Sequence, residues 1–172
     1  MSEADAQLVE RARAGDRPAF EALIAGHLPR IRAIALTVVH QPAMADDVVQ
    51  EAFLKAWTRL GHLADPVTFP AWIARIARNE ALMMLRRSQT HHLVPLEAAA
   101  DAQPPADEEQ DPRLAALRAV LTTLKPEYRE ILALRYDAGL DYAAMAATLG
   151  ISIANVEKRL YRARQAVLAA LG

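Results

Sequence analysis

The chain has 172 residues, a formal net charge of −1, and a composition 53% hydrophobic and 24% charged, which is ordinary for a globular protein of one or two domains. It has no cysteine, which excludes a disulfide framework and thiolate chemistry and fits a reducing compartment. The N-terminus lacks a signal-type apolar core, and no apolar run reads as long enough to span a bilayer, so the expectation is a cytoplasmic protein without membrane insertion.

In chain order, Ala4 to Ala14 reads as a short amphipathic helix ended by Gly15. Asp16 followed by Pro18 starts the next helix, whose apolar residues Phe20, Leu23, Ile24, Leu28, Ile31, Ile34, Ala35 and Val38 recur at helical intervals. Pro29 is expected to bend or split it. Pro42 opens a third helix to about Leu60, with Val49, Phe53, Ala56, Trp57 and Leu60 on its apolar face. Its outer face carries Asp47, Gln50, Glu51 and Lys55, with Glu51 and Lys55 spaced as an ion pair. The loop Gly61 to Thr68 leads, with Thr68 as cap and Pro70 in the first turn, into a helix to about Arg87. Trp72, Ile73, Ile76, Ala77, Leu82 and Leu85 give that helix an apolar side, and Arg75, Arg78, Arg86 and Arg87 lie elsewhere on it.

Residues 91–112 contain four prolines and no sustained period, and Ala98 to Asp111 carries five acids and no base. This stretch reads as a flexible linker. Beyond it, Arg113 to Leu124 is one helix, and Pro126 opens another through about Tyr136. The expected fold is therefore all-α, with compact helical domains over 1–90 and 113–172 and a connector between them.

Asp141 to Leu171 reads as two helices around a turn: Asp141 caps the first, Gly150 turns left-handed, and Ser152 caps the second. Val156, Leu160, Ala163 and Val167 form an apolar stripe. Asn155, Lys158 and Arg162 fall on the opposite side, with Arg159 on the flank and Glu157 well away from them. A helix-turn-helix with a basic, hydrogen-bonding face suits the major groove, where Asn155 can read base edges and the cations can meet phosphates or guanine. The competing reading is a plain helical hairpin with a solvated charged face.

Two stretches carry a resemblance. ADDVVQEAFLKAW at Ala45 to Trp57 is followed by TFPAWIARIARNEALMMLRR at Thr68 to Arg87. LKPEYREILALRY at Leu124 to Tyr136 is followed by the helix-turn-helix with RLYRAR at Arg159 to Arg164. Together, in this order, they resemble bacterial sigma factors of the sigma-70 family, of the small extracytoplasmic-function (ECF) group. The likeness covers nearly the whole chain outside the linker. It implies domains 2 and 4 of a promoter-specificity subunit that directs transcription initiation without catalysis of its own or a cofactor. Asp47, Gln50 and Glu51 match the family's D-x-x-Q-E, which docks on the clamp coiled coil of the polymerase β′ subunit. The loop Gly61 to Phe69 and the helix carrying Arg75, Arg78 and Asn79 match the part that melts and reads the minus-ten element, where an unpaired base is captured and cations hold the strand. Ser152, Asn155, Lys158, Arg159 and Arg162 match the reader of the minus-thirty-five duplex. The resemblance also implies contact with the β-flap tip and an anti-sigma factor as partner.

This chain departs from the family pattern at Ala143–Ala144, where a pair of acids is usual, and at Val156-Glu157-Lys158, where Val-Lys-Ser is usual; both bear on which bases are read. Trp72 suits either a base-stacking platform or the core, and its apolar face favours the core. A sigma-like decoy that binds an anti-sigma factor but not DNA is the alternative, disfavoured by the retained cations of the last helix and the lack of residues for a receiver domain. A lone helix-turn-helix repressor leaves the Asp47–Glu51 block without use. No nucleophile accompanies Asp46, Asp47 and Glu51, so an enzyme is the weakest reading. His91 and His92 lack further ligands at metal spacing.

Overall fold

The computed structural model describes residues 3–91 and 112–171. Most of the expected linker, 92–111, lies outside the described residues. The described chain is eight α-helices and two short 3-10 turns: α1 (Glu3–Arg13), α2 (Arg17–Val39), α3 (Pro42–Arg59), 3-10 turns at Leu60–His62 and Pro66–Thr68, α4 (Phe69–His91), α5 (Pro112–Thr123), α6 (Pro126–Tyr136), α7 (Tyr142–Leu149) and α8 (Ile153–Leu171).

α2 is the hub of the N-terminal half, packing against α1, α3 and α4. Asp16 caps it, its carboxylate accepting from Ala19 N at 3.0 Å. That bond and the Arg11 guanidinium hold the Asp16 carboxyl below its ordinary range. Pro29 does not split α2, which runs unbroken to Val39 because its buried face, from Phe20 and Leu23 through Ile31 and Ile34 to Val38, is fixed on both sides of the proline. The helix ends at His40, a left-handed residue with φ 57° whose N–H donates to Leu36 O.

By length and composition α2 is apolar enough to cross a membrane, contrary to the expectation that no run qualifies. Here eight of its apolar residues are buried in the protein core, together with His27.

Two local expectations are corrected. Asp65 caps the 3-10 turn Pro66–Thr68 that leads into α4, its carboxylate accepting from Val67 N at 2.9 Å, and the Thr68 hydroxyl, expected to cap α4, donates to Asp65 O at 2.7 Å. Lys55 turns away from Glu51 and pairs with Glu80 on α4, because the contact between α3 and α4 brings that carboxylate into a site only 12% exposed.

The halves are not held apart. α4 packs against α7 and α2 against α6. One cluster of buried side chains runs from Leu23, Ile34, Ala74 and Ala77 in the N-terminal half to Ile131, Met145 and Leu160 in the C-terminal half. A second, smaller cluster joins Val38 and Val39 of α2 to Ala45 and Val48 of α3 and Ala81 of α4.

Candidate nucleic-acid interface

The helix-turn-helix forms from local signals. Asp141 accepts from Ala144 N at 2.7 Å, and Gly150 takes φ 69°, its N–H closing on Ala146 O. Ser152 Oγ accepts from Asn155 N at 3.3 Å and starts α8. Val156, Leu160 and Ala163 are fully buried or nearly so, and Val167 packs beside them. The opposite side is open: Ser152, Asn155, Lys158 and Arg162 are exposed and Arg159 is half-buried on the flank. Among the described residues Lys158, Arg159 and Arg162 make no ion pair, so all three cations are available to an anion. Arg164, by contrast, donates to Tyr136 Oη at 3.0 Å and lies over that ring.

A second concave site opens where α3 ends and α4 begins. Arg59, His62, Trp72, Arg75, Ile76 and Asn79 line a pocket of about 590 Å³. Its loop wall is fixed from behind. The Arg13 guanidinium of α1 donates to the Leu60 and Leu63 carbonyls, and Phe69, fully buried, meets His27 edge-on at 5.3 Å. Burial holds the His27 imidazole below its ordinary pKa, against the opposing pull of Asp5. Trp72 serves both readings: it packs on the core beside Phe69 and also lines the pocket. The sequence did not single out Arg59, and His62 entered only as part of the loop Gly61 to Phe69. The signal available for them was a basic residue on each side of the helix–loop junction, and only the fold brings both into one pocket with Arg75.

Arg78 is not in that pocket. It faces the C-terminal half, its Nε donating to Glu130 Oε1 at 2.6 Å and its Nη2 to Oε2 at 3.2 Å. So of the three residues expected on the minus-ten surface, the structure brings Arg75 and Asn79 together and ties Arg78 to α6.

On α3, Asp47, Gln50 and Glu51 share an exposed face, and among the described residues Asp47 and Glu51 form no ion pair. Leu54 follows on the same stripe and is 60% exposed, a position that sequence reading passed over. An apolar side chain set beside two acids and an amide is a docking chemistry, apolar contact with charge complementarity at its edge. Between the halves runs an apolar groove of about 840 Å³, lined by Leu36 of α2 and its C-cap His40 and by Leu121, Leu132 and Val167. The Arg129 Nε, buried beside it, has no hydrogen-bond partner among the described residues. His40 is exposed at one edge, but partial desolvation against the groove, with the Arg129 charge adding to it, lowers its pKa.

Residues 23–91 match the family model of Sigma-70 region 2, and residues 114–167 match that of Sigma-70, region 4. The chain is 32% identical to the RNA polymerase sigma-H factor of Pseudomonas aeruginosa, over 98% of this chain and 94% of that protein. It is 38% identical to the probable RNA polymerase sigma factor RfaY of Xanthomonas campestris, but spans only 41% of that protein's length. Among solved structures, CnrH in complex with the cytosolic domain of CnrY superposes with a TM-score of 0.75 at 30% identity, covering 98% of this chain and 97% of that one. The sigma factor RpoE in complex with the anti-sigma factor NepR, from Bartonella quintana, gives 0.69 at 25% identity, covering 88% and 96%.

Proposed function

Because the chain belongs to the sigma-70 family of RNA polymerase sigma factors, and to its extracytoplasmic-function group, we propose a specific division of labour among its three surfaces. The face of Asp47, Gln50, Glu51 and Leu54 binds the clamp coiled coil of core polymerase. The pocket of Arg59, His62, Trp72, Arg75 and Asn79 takes an unpaired base of the minus-ten element, with cations on the strand backbone. Arg78 joins that surface once it is free of Glu130. Ser152, Asn155, Lys158, Arg159 and Arg162 lie in the major groove of the minus-thirty-five element.

The protein itself breaks and forms no covalent bond; phosphodiester chemistry stays with the polymerase, and the protein acts in the cytoplasm where polymerase is. By analogy with RpoE and its partner NepR, an anti-sigma factor is the expected regulator. The observation that carries the reading is the pairing of an open, unneutralised basic face on α8 with a separate cation-lined pocket at the start of α4. Transcription in vitro from a promoter library, with core polymerase alone and with the protein added, is the test. New start sites should appear only with the protein. Their absence, with binding to an anti-sigma protein retained, would instead establish a decoy.

A further inference from the structure

Of Arg75, Arg78 and Asn79, the residues assigned above to the minus-ten surface, Arg78 is held by the C-terminal half. The Arg78–Glu130 contact is a two-pronged fork, Nε to Oε1 at 2.6 Å and Nη2 to Oε2 at 3.2 Å, between elements 52 positions apart in sequence. The side chains are 20% and 14% exposed, so water competes weakly for either. A phosphate offers a guanidinium the same arrangement, two anionic oxygens accepting parallel N–H bonds. The packing around the pair is specific to the closed arrangement, because α7 covers α4 and α6 lies on α2. In the same arrangement the pocket at Arg75 and Asn79 and the basic face of α8 stay open.

We propose that Glu130 is an intramolecular stand-in for a promoter phosphate: it occupies the Arg78 fork while the halves are closed, and the minus-ten strand takes Arg78 only by displacing it. The inference rests on the assignment of Arg78 to the minus-ten surface. The free protein then makes incomplete contact with single-stranded DNA, and full contact is coupled to separation of the halves. Whatever else favours separation, polymerase binding included, raises affinity for the strand by linkage.

The absence of cysteine makes the test direct. Labels at T58C on α3 and Q165C on α8, both exposed positions, report the distance between the halves of the full chain. Binding of a fluorescein-labelled, random-sequence single-stranded DNA reports the available cations. Glu130→Gln should enlarge the separated population and tighten single-strand binding by about tenfold, the size expected for freeing one charge-assisted pair. The reversed pair R78E/E130R should restore the closed distance without restoring DNA affinity, which also shows that the variants fold. Adding Arg78→Gln to Glu130→Gln should leave the halves separated and abolish the tenfold gain. If Glu130→Gln changes neither distance nor affinity, the proposal is overturned. It is also overturned if the gain survives loss of Arg78. Both results leave initiation by the protein in the promoter-library assay untouched, so failure here is separable from failure of the sigma-factor reading.

Discussion

Asn155, Lys158 and Arg162 share one exposed face but differ in what they can offer DNA. An amide can bond bidentately to adenine, and a good bidentate pair is worth about 1–3 kcal/mol against the wrong base. Asn155→Ala should therefore relax preference at one base pair when holoenzyme initiation is scored across a promoter set. Lys158→Ala and Arg162→Ala should weaken all promoters more evenly and flatten the salt dependence, since each removes a cation that displaces counterions. Wild-type strength and selectivity in all three would remove this helix from DNA reading. These positions were legible from helical spacing alone, because the burial of Val156, Leu160 and Ala163 fixes which side faces out. Arg78 was not legible: its environment comes from Glu130, which tertiary docking brings in from the other half. His27 makes a separate prediction. Burial lowers its folded pKa beneath the ordinary 6.5, so on acidification the unfolded chain takes up the proton first. Stability is then full above about pH 6.5 and falls as pH drops toward the folded value, at up to about 1.4 kcal/mol per pH unit per proton. His40, lowered in the same direction, adds to the slope. Urea unfolding of His27→Leu should show a shallower pH dependence through this window than wild type.

Among the elements, α3 shows how a helix divides its surface. Ala45, Val48, Val49, Ala52 and Ala56 are buried, which leaves Asp47, Gln50, Glu51 and Leu54 outward. Changing Gln50 and Glu51 to Ala should alter stability by no more than about 0.5 kcal/mol, as for surface sites generally. Core-polymerase affinity in a pull-down should fall, and Leu54→Ser should deepen the loss. Unchanged affinity at normal helicity would remove this face from polymerase docking. The α7–α8 turn depends on two residues. Asp141→Ala should cost about 1 kcal/mol through the lost cap, and Gly150→Ala about 1–2 kcal/mol because a Cβ is strained at φ 69°. Thermal denaturation of the full chain reads both. The caps at Asp16, Asp141 and Ser152 were readable because capping is local. Asp65 displaced Thr68, and Glu80 displaced Glu51 as the partner of Lys55, because a 3-10 turn and a neighbouring helix decided those contacts.

At the scale of the whole molecule, the all-α class and the two halves follow from periodicity, and the interruption between them follows from proline and acid content. That the halves share a core does not follow from either, because the stripes that meet across the seam, Ala74 and Ala77 with Ile131 and Met145, each look like part of their own half's interior. Calorimetry should accordingly show one unfolding transition in the free protein, with a separate lower transition emerging in Glu130→Gln. The composition of that seam also has a thermal consequence. Parting the halves wets apolar surface, which raises heat capacity, and the hydrophobic effect that closes them weakens on cooling. The closed form should therefore lose ground in the cold, making this protein a better binder of unpaired DNA at low temperature than ion pairing alone would make it.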